Sequence, residues 1–537
     1  MIGLEIIQLL VVLVGSLVLA IPFGKYISRL IVYEKRPLEQ TLGKVENKFY
    51  NFIGIDRYQQ MTWKEYFLAM LVANLIAGGF FFTLMIFQEY LPLATREGFS
   101  LDLAFHTAVS FVTNTNLQHY IGDQDMSLLT QMIGITFMMF VAPASGISAA
   151  FAFIRGFIRK DFGLGNFYVD FTRVIVTFLL PVALISALIL LFLGAPQTLE
   201  YEINVQTLEG KEQTITIGPV ASMESIKDLG SNGGGFFGSN SGHPYENPNG
   251  ISNIFETILM ITIPLSFPIA YGHLLGKGRG ISILVAILAA FGILLAIGFA
   301  IQSGPTGLET RFGSFGSILF NISSVSTNTG SANSALTGMS SNAVISFFLG
   351  MFVQAIPGAD GTGMMNMIVY IIATLFIVGL MVGKTPEFMS MKISSRDIKL
   401  VVFIFLIHPA AILVPTVLAY TNQDAQQLLG DVTPMSFTQV LYEFTSASAN
   451  NGSDYLGKSA DTPFWNISTG IVMAIGRYVP LGLMLALAGS FTVKDRKEVI
   501  EPIKTQGVIF TSVLVTMTFL LAALTFLPFL VMGPFLI

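Results

Sequence analysis

The chain contains 537 residues, of which 53% are hydrophobic and only 11% are charged. A soluble globular protein carries about 25% charged residues, so this chain lacks the charge needed to cover several water-soluble domains. The net charge of −5 is uninformative until the charges are placed along the chain. No Cys is present, which excludes disulfides, thiolate metal sites and cysteine catalysis. The composition therefore predicts a polytopic membrane protein.

Ten apolar stretches are long enough to cross roughly 30 Å of hydrocarbon as helices. They are residues 3–23, 65–90, 127–152, 172–194, 251–274, 281–301, 341–383, 400–420, 464–489 and 508–535. The first carries Glu5 and lacks a preceding basic segment, so we expect a membrane helix there and not a cleavable signal. The seventh is too long for one simple helix, which predicts a broken helix. Its interruption contains Pro357, Gly358, Asp360, Gly361 and Gly363.

Basic residues alternate between the loops of the two sides. Of the 28 Lys and Arg residues, one set of loops holds only Arg96, Lys211, Lys227, Arg311 and Lys458, and Arg477 lies inside a span. The positive-inside rule makes the richer set cytoplasmic, which predicts that both termini lie outside. The outer loops are also rich in acids. These acids either solvate the loops or form a negative vestibule that concentrates cations, and charge alone does not decide between the two.

The outer loops contain four polar segments that share one pattern: a small residue, Asn, a small or polar residue, and then Gly, or Asn in the first copy. The segments are Thr113-Asn114-Thr115-Asn116, Ser231-Asn232-Gly233-Gly234, Thr327-Asn328-Thr329-Gly330 and Ala449-Asn450-Asn451-Gly452. Three residues before them stand Ser110, Asp228, Ser324 and Ser446. Turn-rich loops contain Asn and Gly by chance, but four copies in phase with the spans favour an internal repeat.

Each segment follows a run suited to a short half-helix, at 105–112, 319–326 and 441–448, with a more polar run at 223–230. Converging backbone carbonyls can replace the hydration shell of an ion, and Gly permits the backbone angles and close approach that this requires. Ser, Thr and Asn can tie such loops to their surroundings by hydrogen bonds. We therefore predict an all-α membrane protein with ten helices and four helix–pore loop–helix repeats in a pseudo-four-fold arrangement. The predicted divisions are 1–62 (first helix and cytoplasmic loop), 63–153, 171–275, 280–384 and 399–490 (repeats), and 506–537 (last helix).

The loop sequences resemble a known family. VTNTN at 112–116, SNGGGFF at 231–237, HPYENP at 243–248, STNTG at 326–330 and SANNGS at 448–453 are similar to the A subunits of the bacterial Kdp potassium pump, within the superfamily of potassium transporters. The resemblance covers nearly the whole chain. It implies a potassium-binding and potassium-selecting subunit of an ATP-driven uptake pump in the bacterial inner membrane. It also implies three partners, a P-type ATPase B subunit, a C subunit and a small single-span F subunit, with lipid around them and no nucleic acid.

The same resemblance implies potassium at the filter residues, with Asn116, Gly234, Gly330 and Gly452 as filter positions and their preceding residues as carbonyl donors. It implies ATP and magnesium on the partner subunit only. In agreement, the sequence has no DKTGT phosphorylation motif, so we expect no ATP-hydrolysing site in this chain. The nearest phosphate-loop match, Gly383-Lys384-Thr385, has Val378 where an earlier Gly is required and ends a membrane span, so we reject it.

Two features inside the membrane suggest control of the ion. Arg477 is either part of a buried ion pair or a fixed positive charge that stops cation leak, and we favour the second interpretation. The interruption at 354–363 is either a harmless kink or an intramembrane gate. Asp360 favours the gate, because an acid at that depth is costly and calls for a basic partner or the ion.

Three other functions are disfavoured by the sequence. A stand-alone potassium channel, or a transporter with a cytosolic nucleotide-binding ring, does not account for the two additional helices and the loop sequences. A secondary transporter with inverted repeats is disfavoured because every pore loop enters from outside. A membrane enzyme lacks a nucleophile–base set, and His106 and His119 are expected in loops without metal-binding partners. KEQTITI at 211–217 alternates in polarity and weakly indicates an outer β element.

Overall fold

A computed structural model describes residues 2–34, 39–94, 96–158, 163–300, 308–430, 433–495 and 503–530. The described chain is mainly helical, with two short strand pairs, which confirms the predicted all-α polytopic class. In chain order the helices are α1 (Ile2–Ile31), α2 (Glu39–Ile53), α3 (Trp63–Ile86), α4 (Leu101–Val112), α5 (Gly122–Asp125), α6 (Thr136–Arg155), α7 (Phe167–Val174), α8 (Leu180–Leu193), α9 (Val220–Leu229), α10 (Gly250–Leu275), α11 (Lys277–Phe299), α12 (Gly313–Ser326), α13 (Ser341–Val353), α14 (Thr362–Met381), α15 (Ser395–Ala419), α16 (Gln423–Leu429), α17 (Pro434–Ala449), α18 (Pro463–Thr492) and α19 (Val508–Leu530).

Ten of the described helical stretches are long and apolar enough to cross a membrane, in agreement with the ten predicted spans. The third and fourth include π-helical turns at Thr130–Ile135 and Ile175–Leu179, which continue directly into α6 and α8. The seventh span is broken as predicted, with α13 and α14 separated by residues 354–361. Residue 301 of the predicted sixth span and residues 531–535 of the predicted tenth lie outside the described residues.

Four short helices that do not span the membrane lead into the four polar segments. They are α4, α9, α12 and α17, and each ends at or next to its segment. The side chains of Ser100 and Thr433 cap α4 and α17 by accepting hydrogen bonds from backbone N–H groups of the first turn. The second half of each of these helices is buried, so the polar segments lie inside the protein.

Glycines let the long helices pack closely. A Cβ at Gly24 of α1 would lie 2.7 Å from the carbonyl oxygen of Ser266 in α10. A Cβ at Gly280 of α11 would lie 2.5 Å from Cα of Gly272 in α10. Small residues permit such approach in membranes, where dispersion contacts replace the hydrophobic effect as the force between helices. These glycines therefore allow α10 to pack closely against both α1 and α11.

The end of the bundle predicted to be cytoplasmic differs from expectation in one respect. The sequence predicted a loop after residue 23, but α1 continues to Ile31 and α2 follows, with its Glu46 and Tyr50 buried and its Lys44 and Lys48 exposed. A strand pair, β3 (Glu387–Phe388) and β4 (Met391–Lys392), lies between α14 and α15. The buried positions Glu46 and Tyr50 are one helical turn apart in α2. The many charged residues around them obscured this helical pattern in the sequence.

A buried ion pair joins two helices at the same end. Arg155 of α6 donates to both carboxylate oxygens of Asp170 in α7, at 2.6 and 2.7 Å. The Tyr66 hydroxyl of α3 donates to the same carboxylate at 2.8 Å. A bidentate pair fixes the geometry of its partners as well as their charge. At the opposite end, the weakly indicated β element is present as an antiparallel hairpin of β1 (Glu202–Gln206) and β2 (Glu212–Thr216).

Candidate ion-binding site

The four polar segments share one backbone hydrogen bond. In each loop, the N–H of one residue donates to the carbonyl oxygen five residues earlier, near the end of the preceding short helix. The bond marks the point at which the chain leaves the short helix and enters the polar segment. The donor–acceptor pairs are Thr115–Ser110, Asn232–Lys227, Thr329–Ser324 and Asn451–Ser446, with N···O distances between 2.8 and 2.9 Å.

This bond corrects the alignment of the second segment by one residue. Asn232 takes the place of Thr115, Thr329 and Asn451, so the fourth position of the second loop is Gly233, and Gly234 follows it. The residue that corresponds to Ser110, Ser324 and Ser446 is Lys227, and the sequence-based alignment of Asp228 at that position was wrong. The error arose because the four segments were aligned on a shared Asn, and in the second loop this Asn stands one position later than in the others.

The left-handed backbone positions support the corrected alignment. Asn114, Asn328 and Asn450 have φ of 62°, 52° and 55°, and the corresponding residue in the second loop is Ser231, with φ of 51°. Asn adopts positive φ more readily than most residues, which explains its choice in three of the loops. Asn116 also has a φ of 56°, where the third and fourth loops have Gly330 and Gly452. Asn thus replaces Gly in the first loop without leaving the left-handed region.

The four loops contact one another in the order of the chain. A Cβ at Gly233 would lie 2.6 Å from the carbonyl oxygen of Thr329 in the third loop. A Cβ at Gly330 would overlap the carbonyl oxygen of Asn451 in the fourth loop. A Cβ at Gly452 would overlap the carbonyl oxygen of Thr115 in the first loop. Glycine is required at these positions because a neighbouring carbonyl occupies the space of the side chain.

The ring is closed by the first and second loops and held by Asn side chains. Asn114 Nδ2 donates to the carbonyl oxygen of Ser231 at 2.8 Å, and a Cβ at Gly234 would lie 3.3 Å from Cβ of Asn116. Asn328 Nδ2 donates to the Ala449 carbonyl oxygen at 3.0 Å, and Asn450 Nδ2 donates to Thr115 Oγ1 at 2.9 Å. These bonds link neighbouring loops and fix the carbonyls by groups outside the central path.

An outer cavity of about 450 Å³ opens onto the ring. Its lining includes Gly330 and Gly452 of the loops, and its charged residues are Glu309, Asp454 and Lys458. Lys458 pairs with Asp125 at 2.5 Å, and Glu309 pairs with Arg311 at 3.1 Å. The cavity lining is therefore close to charge balance, which favours solvation of the loops over a strongly negative vestibule.

The break in the seventh span lies against two of the loops. The Gly358 N–H donates to the carbonyl oxygen of Ser326, at the end of α12, at 2.9 Å. The Asp360 N–H donates to Ser231 Oγ at 3.4 Å. Asp360 is 3% exposed, and neither of its carboxylate oxygens accepts a hydrogen bond from the described residues. The break thus places a buried acid, without a direct ion pair to the described residues, beside the second loop.

Arg477 of α18 is buried against α6. Its Nη2 donates to the Ala142 carbonyl oxygen at 3.3 Å, and a Cβ at Gly146 would lie 2.7 Å from the same nitrogen. Gly146 therefore provides the space that the guanidinium occupies. Among the described residues no carboxylate oxygen lies within the 4.0 Å of an ion pair with Arg477. Arg477 therefore makes no direct ion pair with the described residues, but its charge acts on the buried Asp360 carboxyl group.

Comparison with known proteins agrees with this geometry. Residues 9–536 match the family described as Potassium-transporting ATPase A subunit. A potassium-transporting ATPase potassium-binding subunit of Geobacillus kaustophilus is 39% identical, with 96% of each chain covered. A protein of the same name from Alicyclobacillus acidocaldarius is 41% identical, with 98% of each chain covered. The chain belongs to the potassium-transporting ATPase A subunit family.

This family member contains interacting side chains that the sequence did not predict. His106 lies in α4 and not in a loop, and it stacks on His119 with ring centroids 3.8 Å apart. His119 Nδ1 is 2.7 Å from Asn466 Oδ1, and its Nε2 is 3.4 Å from Glu443. The two rings come from segments 13 residues apart whose proximity depends on the turn of the first loop. No sequence spacing signalled the pair.

Asp228 also has neighbours that the sequence did not reveal. Asp228, Glu224 of the same helix and Glu256 of α10 offer carboxylate oxygens that all lie within 4.8 Å of one another. The spacing of Glu224 and Asp228 places them on one face of α9. Glu256 could not be added from the sequence, because its position depends on how α10 packs against α9.

Proposed function

We propose that this chain binds potassium and selects it from the outside, as the A subunit of an ATP-driven potassium uptake pump. The observation that carries the proposal is the closed contact of four loops, in which a Gly of one loop faces a carbonyl of the next. Converging carbonyls of this kind suit a dehydrated monovalent cation. The names of the similar proteins, which are potassium-binding subunits, support potassium as that cation.

In this proposal the four loops act as a selectivity filter with pseudo-four-fold arrangement. The backbone carbonyls of the first three positions in each loop bind the ion, and the fourth positions allow the loops to approach. The fourth positions are Asn116, Gly233, Gly330 and Gly452. Gly234 packs against the ring of Phe111 behind the filter. A Cβ at Gly234 would lie 2.7 Å from Cζ of that ring.

Energy for uptake comes from partners. A P-type ATPase B subunit hydrolyses ATP with magnesium, and a C subunit and a small single-span F subunit complete the assembly in the bacterial inner membrane. The potassium-transporting ATPase names of the relatives support such an assembly. The distribution of basic residues supports a cytoplasmic side at Arg155 and Lys494 and extracytoplasmic termini.

The break at 354–361 acts as a gate below the filter. Its hydrogen bonds to the ends of the second and third loops give it a direct mechanical link to the filter. The unpartnered carboxylate of Asp360 provides a transient ligand for an ion that leaves the filter, since a buried carboxylate without a partner favours a cation beside it.

The test is potassium-stimulated ATP hydrolysis by the purified assembly. Gly233→Asp puts a side chain into the space of the Thr329 carbonyl, so we expect the potassium concentration for half-stimulation to rise at least about tenfold, equivalent to about 1.4 kcal/mol of binding. Gly234→Asp presses on Phe111 and Asn116, and we expect a smaller loss of affinity or a new response to sodium or ammonium.

Gly210→Asp is the matched control. Gly210 lies in the turn of the outer hairpin, where a Cβ would meet nothing within 4 Å, and Asp tolerates its left-handed backbone. Its potassium response should equal that of the unmodified assembly. An unchanged response in Gly233→Asp would exclude the second loop from the filter and contradict the proposed function.

A further inference from the structure

A group of buried acids lies behind the second loop, outside the ring of carbonyls. Glu224 and Asp228 stand on one face of α9, and Glu256 stands in the second turn of α10. Their relative exposures are 1%, 0% and 0%. One carboxylate oxygen from each lies within 4.8 Å of the others, which is the spacing of ligands around a single ion.

One neighbouring cation is already engaged. Lys227 Nζ lies 2.6 Å from Glu224 Oε2 and 2.7 Å from Glu246 Oε2. Glu246 Oε1 accepts the Phe237 N–H at 2.7 Å, and Glu224 Oε1 accepts the Ser241 hydroxyl at 2.7 Å. Glu246 and Glu224 therefore share the single ammonium of Lys227.

The other two acids have no such partners. Neither carboxylate oxygen of Asp228 or Glu256 accepts a hydrogen bond from the described residues. The nearby Arg311 is occupied, because it pairs with Glu309 and donates to the carbonyl oxygens of Gly242 and Asn247. Four buried carboxyl groups share one ammonium, and buried acids of this kind are either protonated or ionised beside a further cation, so a metal that enters the group takes the place of protons.

We propose that Glu224, Asp228 and Glu256 bind one calcium-class divalent cation, which joins α9 to α10 behind the second loop. An all-oxygen, all-carboxylate set is the donor chemistry of a hard cation. Oxygens bound to one Ca²⁺ at 2.3–2.6 Å each stand at most about 5.2 Å apart, so a group whose oxygens lie within 4.8 Å of one another can close around this ion, whereas Mg²⁺ keeps several waters and takes only one or two carboxylates. Beside ionised carboxylates, a divalent ion also compensates two negative charges, where potassium would compensate one.

The site lies near the outer cavity and is linked to the filter loop. Asn240 lines the outer cavity, and its Oδ1 accepts a hydrogen bond from Lys227 Nζ at 2.9 Å. The Lys227 carbonyl oxygen accepts the Asn232 N–H that shapes the second loop. A cation at the site therefore stabilises the helix on which this loop is built, and it does so without being transported.

The first experiment measures binding directly. The purified assembly is stripped with EDTA and dialysed against radioactive calcium, with magnesium alone and potassium alone as separate competitors. We expect one calcium per chain, displaced poorly by magnesium and not by potassium. Absence of bound calcium in the unmodified assembly, or displacement by potassium at equal concentration, overturns the proposal whatever the outcome of the filter test.

The second experiment uses the paired substitution Asp228→Asn with Glu256→Gln, which keeps side-chain size. It should abolish calcium binding. Its thermal midpoint in EDTA should equal or exceed that of the unmodified assembly, because repulsion is relieved, whereas in calcium the unmodified assembly should be the more stable. Glu443→Gln, a buried acid of α17 outside the cluster, should retain one calcium. If the paired variant does not fold, Glu256→Gln alone must lower calcium affinity at least tenfold, and an unchanged affinity contradicts the site.

Discussion

At the scale of single residues, the adjoining loop determines which residue type the fourth position of each loop can hold. Gly330 and Gly452 cannot carry a side chain because a carbonyl of the adjoining loop fills the space. Asn116 can, because the adjoining loop supplies Gly233 and Gly234. The departure from glycine in the first loop is therefore compensated in the second, where three glycines follow one another.

Arg477 leads to a prediction at this scale. Replacing it with Met should raise passive cation leak through the assembly in liposomes, because a fixed positive charge below the filter is lost. At a separation of about 10 Å and an effective dielectric constant of about 20, one charge contributes about 1.7 kcal/mol, so leak should rise about twentyfold. The measurement is potassium efflux from loaded vesicles without ATP.

Arg477→Lys is the matched control, because it retains the charge and fits the space beside Gly146. It should leak no more than the unmodified protein. If Arg477→Met neither leaks more nor changes the apparent potassium affinity, the residue has only a packing role.

At the scale of elements, the interruption of the seventh span was predictable from the sequence, but its contacts with the loops were not. Pro and three Gly within ten residues exclude a continuous helix. Their sequence gives no indication that Gly358 bonds to Ser326 or that Asp360 bonds to Ser231, since these partners are 32 and 129 residues away. The contacts arise from the packing of α13 and α14 between the loops.

The paired substitution Gly361→Ala with Gly363→Ala tests this element. Gly361 has a φ of 75°, and a Cβ added to it would lie 2.8 Å from Cβ of Ala150. A Cβ at Gly363 would lie 2.5 Å from the Pro357 carbonyl oxygen. Both methyl groups force the break to move, so we expect potassium uptake into proteoliposomes to fall at least about tenfold, equivalent to about 1.4 kcal/mol in the barrier.

Gly383→Ala controls for backbone strain alone. Gly383 has a φ of 69°, but a Cβ added to it would meet nothing within 4 Å. The substitution carries the left-handed penalty of roughly 1 kcal/mol without a clash, and uptake should stay within about twofold. Equal uptake in the paired variant and in the unmodified assembly, at matched thermal midpoints, would exclude a gate at 354–361.

At the scale of the whole molecule, the membrane spans were predictable because the thickness of the hydrocarbon core requires about 20 consecutive, mainly apolar residues in each helix that crosses it. The four loops were predictable as a set because their chemistry repeats. The register of the second loop was not predictable, because Ser231 takes the left-handed position that Asn takes elsewhere. The hydrogen bond from Asn232 to Lys227 and the φ of Ser231 reveal it. The acid cluster was hidden because it joins two helices whose packing has no signal in one sequence.

The orientation of the molecule gives a last prediction, for which the absence of Cys is an advantage. Leu208→Cys places one thiol at the exposed turn of the β1–β2 hairpin, and Lys48→Cys places one on the exposed face of α2. With the basic loops inside, a membrane-impermeant maleimide added to intact spheroplasts should label the chain at position 208 and not at position 48. Inverted vesicles should give the reverse pattern. Because any label on this chain comes from the single introduced thiol, labelling of position 48 in intact spheroplasts would reverse the topology and place the four loops on the cytoplasmic side, where they could not select potassium for uptake.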